Sequence, residues 1–89
     1  MAFTCTYSGI PYDDANRLTP EMLTLKASEL GLEAAYVVVA IEIQRRRWRR
    51  GLADIIVHLG YGENVLHPQF PDEAKRAITA AVDALLRQR

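Results

Sequence analysis

Cysteine is almost absent from this chain: Cys5 alone in 89 residues excludes an internal disulfide and a multi-cysteine zinc site. Long apolar runs are missing too. The longest uncharged one, Ala34 to Ile41, falls far short of the ~20 residues that a bilayer requires. The opening Met1–Tyr7 stretch has no basic n-region and no apolar h-region, which argues against a signal peptide. Gly60 and Gly62 are too few for a phosphate-cradling glycine loop. Net charge is also lacking, because eleven Lys and Arg stand against eleven Asp and Glu. The chain as a whole is neither a basic coat for nucleic acid nor an acidic mimic of it. These absences give the expectation of a soluble, cytoplasmic protein with no membrane segment and no cofactor.

What is present suits a single folded domain, 1–89. Hydrophobic residues make up 49% and charged residues 25%, enough apolar surface to offset the entropy of ordering. At this length only roughly 60–65% of the unfolded surface is buried, so support from a partner or a second copy is expected. The neutrality also conceals an asymmetry. Residues 1–44 hold Arg17 and Lys26 against six carboxylates, whereas residues 45–89 hold nine basic groups against five acidic ones.

Residues 1–17 read as an extended N-terminal arm, with Phe3, Cys5 and Tyr7 alternating with Thr4 and Thr6 until Ser8-Gly9-Ile10-Pro11 interrupts. A helix is predicted over 20–30: Thr19 caps, Pro20 suits the first helical position, Glu21 favours the positive dipole end, Leu18 and Leu23 form a staple, and Gly31 ends it. A second helix is predicted over 33–50, or to 59. At 100° per residue Val37, Ile41, Trp48, Leu52, Ile55 and Leu59 fall within a stripe of roughly 60°. The β-branched segment around Val37–Val39 would suit a strand, and Gly51 costs about 1 kcal/mol inside a helix, which suggests a break there. The last helix, 72–87, opens at Pro71, Asp72 and Glu73 and carries Ala74, Ile78, Ala81, Val82 and Leu85 on one side. The resulting expectation is an all-α bundle of three or four helices in a helical core over 18–89, with an α+β fold holding the arm in a small sheet as the alternative.

The loudest local feature is Arg45-Arg46-Arg47-Trp48-Arg49-Arg50. Guanidinium groups pair bidentately with phosphate and an indole stacks on an unpaired base, so Arg46, Arg47, Trp48, Arg49 and Arg50 are candidates for binding a polyanion or partner. In a helix, however, Glu42 would face Arg46 and Arg50 would face Asp54, which favours a solvated charged face. Ala27, Gly31 and Val37 have helix-turn-helix spacing, but Glu33–Glu42 offers nothing to read base edges. His58 and His67 stand nine residues apart with no metal-ligand spacing, and Cys5 has no local motif orienting a histidine towards it. No catalytic or metal residue is therefore assigned. Tyr7, Tyr12, Tyr61 and Phe70 lie outside the expected helices as candidate interface aromatics. The expected function is a non-catalytic helical protein-interaction module, an adaptor, regulator or assembly factor that forms a homo-oligomer. The alternative is binding of RNA or single strands through Arg45–Arg50 and Trp48.

Overall fold

The computed structural model describes residues 2–33, 36–45, 50–61 and 71–87. It is an α+β fold and not the all-α bundle expected from the helical stripe. In chain order the elements are β1 (Ala2–Pro11), α1 (Tyr12–Ala15), α2 (Pro20–Glu29), β2 (Tyr36–Arg45), β3 (Leu52–Tyr61) and α3 (Pro71–Arg87). The strands form one antiparallel sheet in the order β1-β3-β2. Within the segment expected to be a second helix, 33–50 or to 59, the described residues 36–45 and 52–59 are instead neighbouring antiparallel strands, and the expected extended arm, 1–17, holds the edge strand β1 followed by the short helix α1.

Strand β3 shows why. Ala53, Ile55, Val57 and Leu59 are each fully buried, at a spacing of two, while Leu52, Asp54, Ile56, His58 and Gly60 between them are partly covered. Two residues apart on a helix is about 200°, so no helix could bury this set on one side. β-Branched residues fill β2 and β3 because they pack well on a pleated surface. Gly51 has φ +77°, a left-handed conformation that suits the return of the chain into β3.

The buried face of the sheet carries Cys5, Tyr36, Val38, Ile55, Val57 and Leu59, with Tyr7, Ile10, Ile41 and Ile43 partly buried beside them. Leu18, Leu23 and Ala27 of the α2 region and Ala74, Ala77, Ile78, Ala81 and Val82 of α3 join the same core. The alanines keep the α3 surface low, and the element that its backbone approaches is α2. Helix α2 begins as the sequence implies: Thr19 is extended, its hydroxyl accepts from the Met22 amide at 3.2 Å, and Pro20 follows. It ends with the Leu32 amide reaching back to the Ala27 carbonyl at 2.8 Å, around Gly31 at φ +111°.

Both outer strands carry a bulge. The β1 register shifts between Tyr7 and Ile10, at Gly9 with φ +73°, and the β2 register shifts between Val38 and Ala40. On β2, two amides that point away from β3 are already occupied. The Tyr36 amide donates to the Glu33 carbonyl at 3.0 Å and the Val38 amide to the Thr24 hydroxyl at 3.0 Å. The Thr24 hydroxyl donates in turn to the Pro20 carbonyl at 2.8 Å, so one side chain ties α2 to the sheet edge.

Replacing Thr24 with Val, equal in shape but without the donor and acceptor, leaves the half-buried Val38 amide unpaired. Urea unfolding should show a loss of about 1–3 kcal/mol, and Thr24→Ser should recover most of it. Equal stability of Thr24→Val and the parent would mean that the hydroxyl does not anchor the edge.

Candidate binding surfaces

The sheet separates the residues that sequence reasoning had considered for nucleophilic chemistry. Cys5 pairs in register with Val57 and faces the helices, whereas His58 pairs with Thr4 on one side and Ala40 on the other and lies on the opposite face. His67 lies outside the described residues. The Cys5 thiol is pushed up by burial, against smaller opposing effects of the Tyr7 hydroxyl and the Lys75 cation. A buried thiol of this kind is a poor nucleophile. Among the described residues no group of three or more His, Cys, Asp or Glu side chains comes together.

His58 has its carboxylate neighbour across the sheet: its Nε2 lies 3.6 Å from Glu42 Oε1 across the β2–β3 pair. Glu42 is therefore engaged on the open sheet face, not placed along a helix beside Arg46. The helical spacing of Arg50 and Asp54 does not apply either, since Asp54 lies in strand β3.

The arginine run connects two strands. Arg45 ends β2 and Arg50 precedes β3, while Arg46, Arg47, Trp48 and Arg49 lie outside the described residues. Tyr12, the first residue of α1, meets this end of the hairpin. Its amide donates to the Gly51 carbonyl at 2.7 Å, and the Arg45 guanidinium carbon sits over its ring, 3.9 Å from the centroid. A cleft of about 350 Å³ opens here, lined by Pro11, Tyr12, Asp13, Arg45, Arg50 and neighbouring backbone. A hydrogen bond from Asn16 and the Arg45 cation lower the Tyr12 hydroxyl from its ordinary range. Sequence reasoning had assigned Tyr12 and the arginines to separate roles, and the fold brings Tyr12 together with Arg45 and Arg50.

Of the other candidate interface aromatics, Tyr7 is half-buried, its hydroxyl hydrogen-bonded to Thr79 on α3 at 2.9 Å. The side chain of Tyr61 and all of Phe70 lie outside the described residues. Among the described residues the exposed large apolar ones are different: Met22 (43% exposed), Leu25 (69%), Leu30 (44%), Val37 (45%) and Val39 (58%). All belong to α2, its C-cap or β2. An apolar groove of about 410 Å³, lined by Pro20, Glu21, Thr24, Leu25, Val37 and Val38, runs between the two elements. A signal for it existed in the sequence. Leu23 and Ala27 account for the buried side of α2, which leaves Met22 and Leu25 with no core to enter.

No family model matches the chain, and no curated protein or solved structure is significantly similar to it. Among the described residues no helix is long and apolar enough to cross a membrane.

Burial pushes the Tyr7 hydroxyl up to about 12, above the ordinary tyrosine value of about 10. The unfolded chain therefore releases this proton first as pH rises. The stability that the neutral side chain contributes is complete below about pH 10 and is lost as pH climbs towards 12. Denaturation followed across that window should show a steeper alkaline decline for the parent than for Tyr7→Phe; parallel declines would disprove the linkage.

Proposed function

We propose that this chain is a non-catalytic protein-interaction module that self-associates through the surface formed by α2 and the outer edge of β2. One observation carries this reading: among the described residues the exposed large apolar side chains Met22, Leu25, Leu30, Val37 and Val39 all belong to α2, its C-cap or β2, and Leu25 and Val37 line one apolar groove between the two elements. Isolated exposed apolar residues are ordinary, whereas a contiguous group marks an interaction surface.

The occupant that best fits is a second copy. A patch formed by a strand edge and an adjoining helix can meet itself under a two-fold axis. A domain of this size also gains proportionally more from burying additional apolar surface than a large one does. The contact would run through side chains at the start of β2, where the Tyr36 and Val38 amides already have acceptors. Such a module acts as an adaptor, regulator or assembly factor.

Burying a Leu or Val side chain contributes roughly 1.5–3 kcal/mol, and a symmetric dimer uses each residue twice. Leu25→Glu should therefore weaken association at least tenfold, with little change in the fold because Leu25 is largely exposed. Sedimentation velocity over a wide concentration range is the test. A parent chain that stays monomeric at the highest concentration would overturn the proposal, as would association unaffected by Leu25→Glu and Val39→Glu.

A further inference from the structure

A second surface, sharing no lining residue with the apolar groove, has the opposite chemistry. The cleft at the end of the sheet where β2 leads into β3 brings together Arg45 from the end of β2, Arg50 from just before β3 and Tyr12 from α1. Arg45 does not simply extend into solvent. Its guanidinium lies over the Tyr12 ring, which restricts the side chain while leaving donors available to an acceptor. Holding a cation in place on an aromatic ring lowers the ordering cost when an anion arrives. The Tyr12 amide bonded to the Gly51 carbonyl ties the Tyr12 backbone to the same end of the sheet as Arg45 and Arg50.

We propose that the cleft framed by Tyr12, Arg45 and Arg50 binds the backbone phosphates of single-stranded nucleic acid. The two guanidinium groups meet phosphate oxygens, and a base flanks the Tyr12–Arg45 pair. Three arguments select this ligand. Arginine forks match phosphate oxygens bidentately, and an aromatic ring beside them is the arrangement that tolerates any unpaired base. A recess of about 350 Å³ is near the lower end of small-ligand sites, about 300–1,000 Å³, and so receives a splayed nucleotide rather than the flank of a duplex. Finally, five arginines fall within six consecutive positions from Arg45 to Arg50, a local excess of positive charge in a chain that is neutral overall. Asp13 also lines the cleft, and its carboxylate opposes a phosphate. It sets a limit on affinity that a substitution can lift.

The experiment is fluorescence anisotropy of a fluorescein-labelled twelve-nucleotide oligouridylate with the full 89-residue chain, from low to moderate salt. The expected result is binding that weakens steeply with salt. Arg45→Ala combined with Arg50→Ala should weaken it at least tenfold and reduce the log–log salt slope by about 1.4, two phosphate contacts at about 0.7 each. Asp13→Asn should tighten binding, Tyr12→Ala should weaken it, and Tyr12→Phe should keep most of it because the ring is retained. Circular dichroism confirms that each variant is folded; if Tyr12→Ala does not fold, the double arginine and Asp13→Asn variants decide. A salt-independent signal, or equal binding by the parent and the double arginine variant, overturns the proposal. Stronger competition by a twelve-base-pair duplex than by an unlabelled single strand does so as well, in favour of duplex binding. Stronger competition by phosphatidylserine vesicles does so in favour of a membrane surface.

Discussion

Strand β3 is the one strand with a neighbour on each side, and every other element is placed by reference to it. Its inward residues Ala53, Ile55, Val57 and Leu59 form the floor on which the helices rest. Its register fixes which residues of β1 and β2 accompany them. A slip of one position would exchange these four for Asp54, Ile56 and His58, placing a carboxylate and an imidazole in the core. The cost of burying an unpaired carboxylate makes that alternative inaccessible. Cys5 and Ile41 join the core because both pair with Val57, and Thr4 and Ala40 face outward because both pair with His58.

A sheet organised around one central strand has two exposed edges, and the chain treats them with different means. Both outer strands are bulged, which twists and interrupts the flat template that another strand would need. At β2 the helix adds a further device: Thr24 takes the Val38 amide, and the Glu33 carbonyl takes that of Tyr36. This half of the edge is therefore closed to backbone pairing while its apolar side chains Val37 and Val39 remain exposed. Indiscriminate strand addition is discouraged, whereas a partner with a complementary apolar surface is not. The distinction separates an aggregation-prone edge from a specific interface, and it follows from the position of one threonine hydroxyl.

The parts of the fold legible in the sequence are those whose signals are local. Thr19, Pro20 and Glu21 announce α2, the apolar side of 74–85 announces α3, and the Phe3–Tyr7 alternation announces an extended segment whose pairing partner, 48 to 56 residues away, the sequence does not identify. The hairpin was misread for a definite reason. Residues four apart share a side in a helix and also in a strand, so Val37 and Ile41, or Ile55 and Leu59, cannot distinguish the two. Spacings of two do distinguish them, but the β2 bulge conceals these: its inward residues run Tyr36, Val38, Ile41, Ile43, and the step of three in the middle imitates a helical period. The Tyr12–Arg45 contact was not legible either. It requires β1 and β2 to flank the same strand, a relation that no spacing between positions 12 and 45 encodes.

The same topology changes the meaning of the charge asymmetry. Along the sequence the acidic half, 1–44, and the basic half, 45–89, look like two poles that a second copy could match head to tail. In the fold, β3 from the basic half is inserted between β1 and β2 from the acidic half, so the two halves interleave and no such division of the molecule exists. Glu42 and His58 lie diagonally across this seam, 3.6 Å apart. Lys26 pairs with Glu29 and Arg17 with Asp14, both within the acidic half. The local excess of positive charge in the sequence is 45–50, and of these Arg45 and Arg50 line the cleft, where Asp13 is the acidic residue among the described lining residues. An electrostatic partner would therefore be drawn to one end of the sheet and not to a basic half of the molecule. The apolar surface on α2 and β2 contains Glu21 but no arginine or lysine among its lining residues. Association through one surface thus need not neutralise the other, and a self-associated form would present the arginine-bearing cleft once per copy.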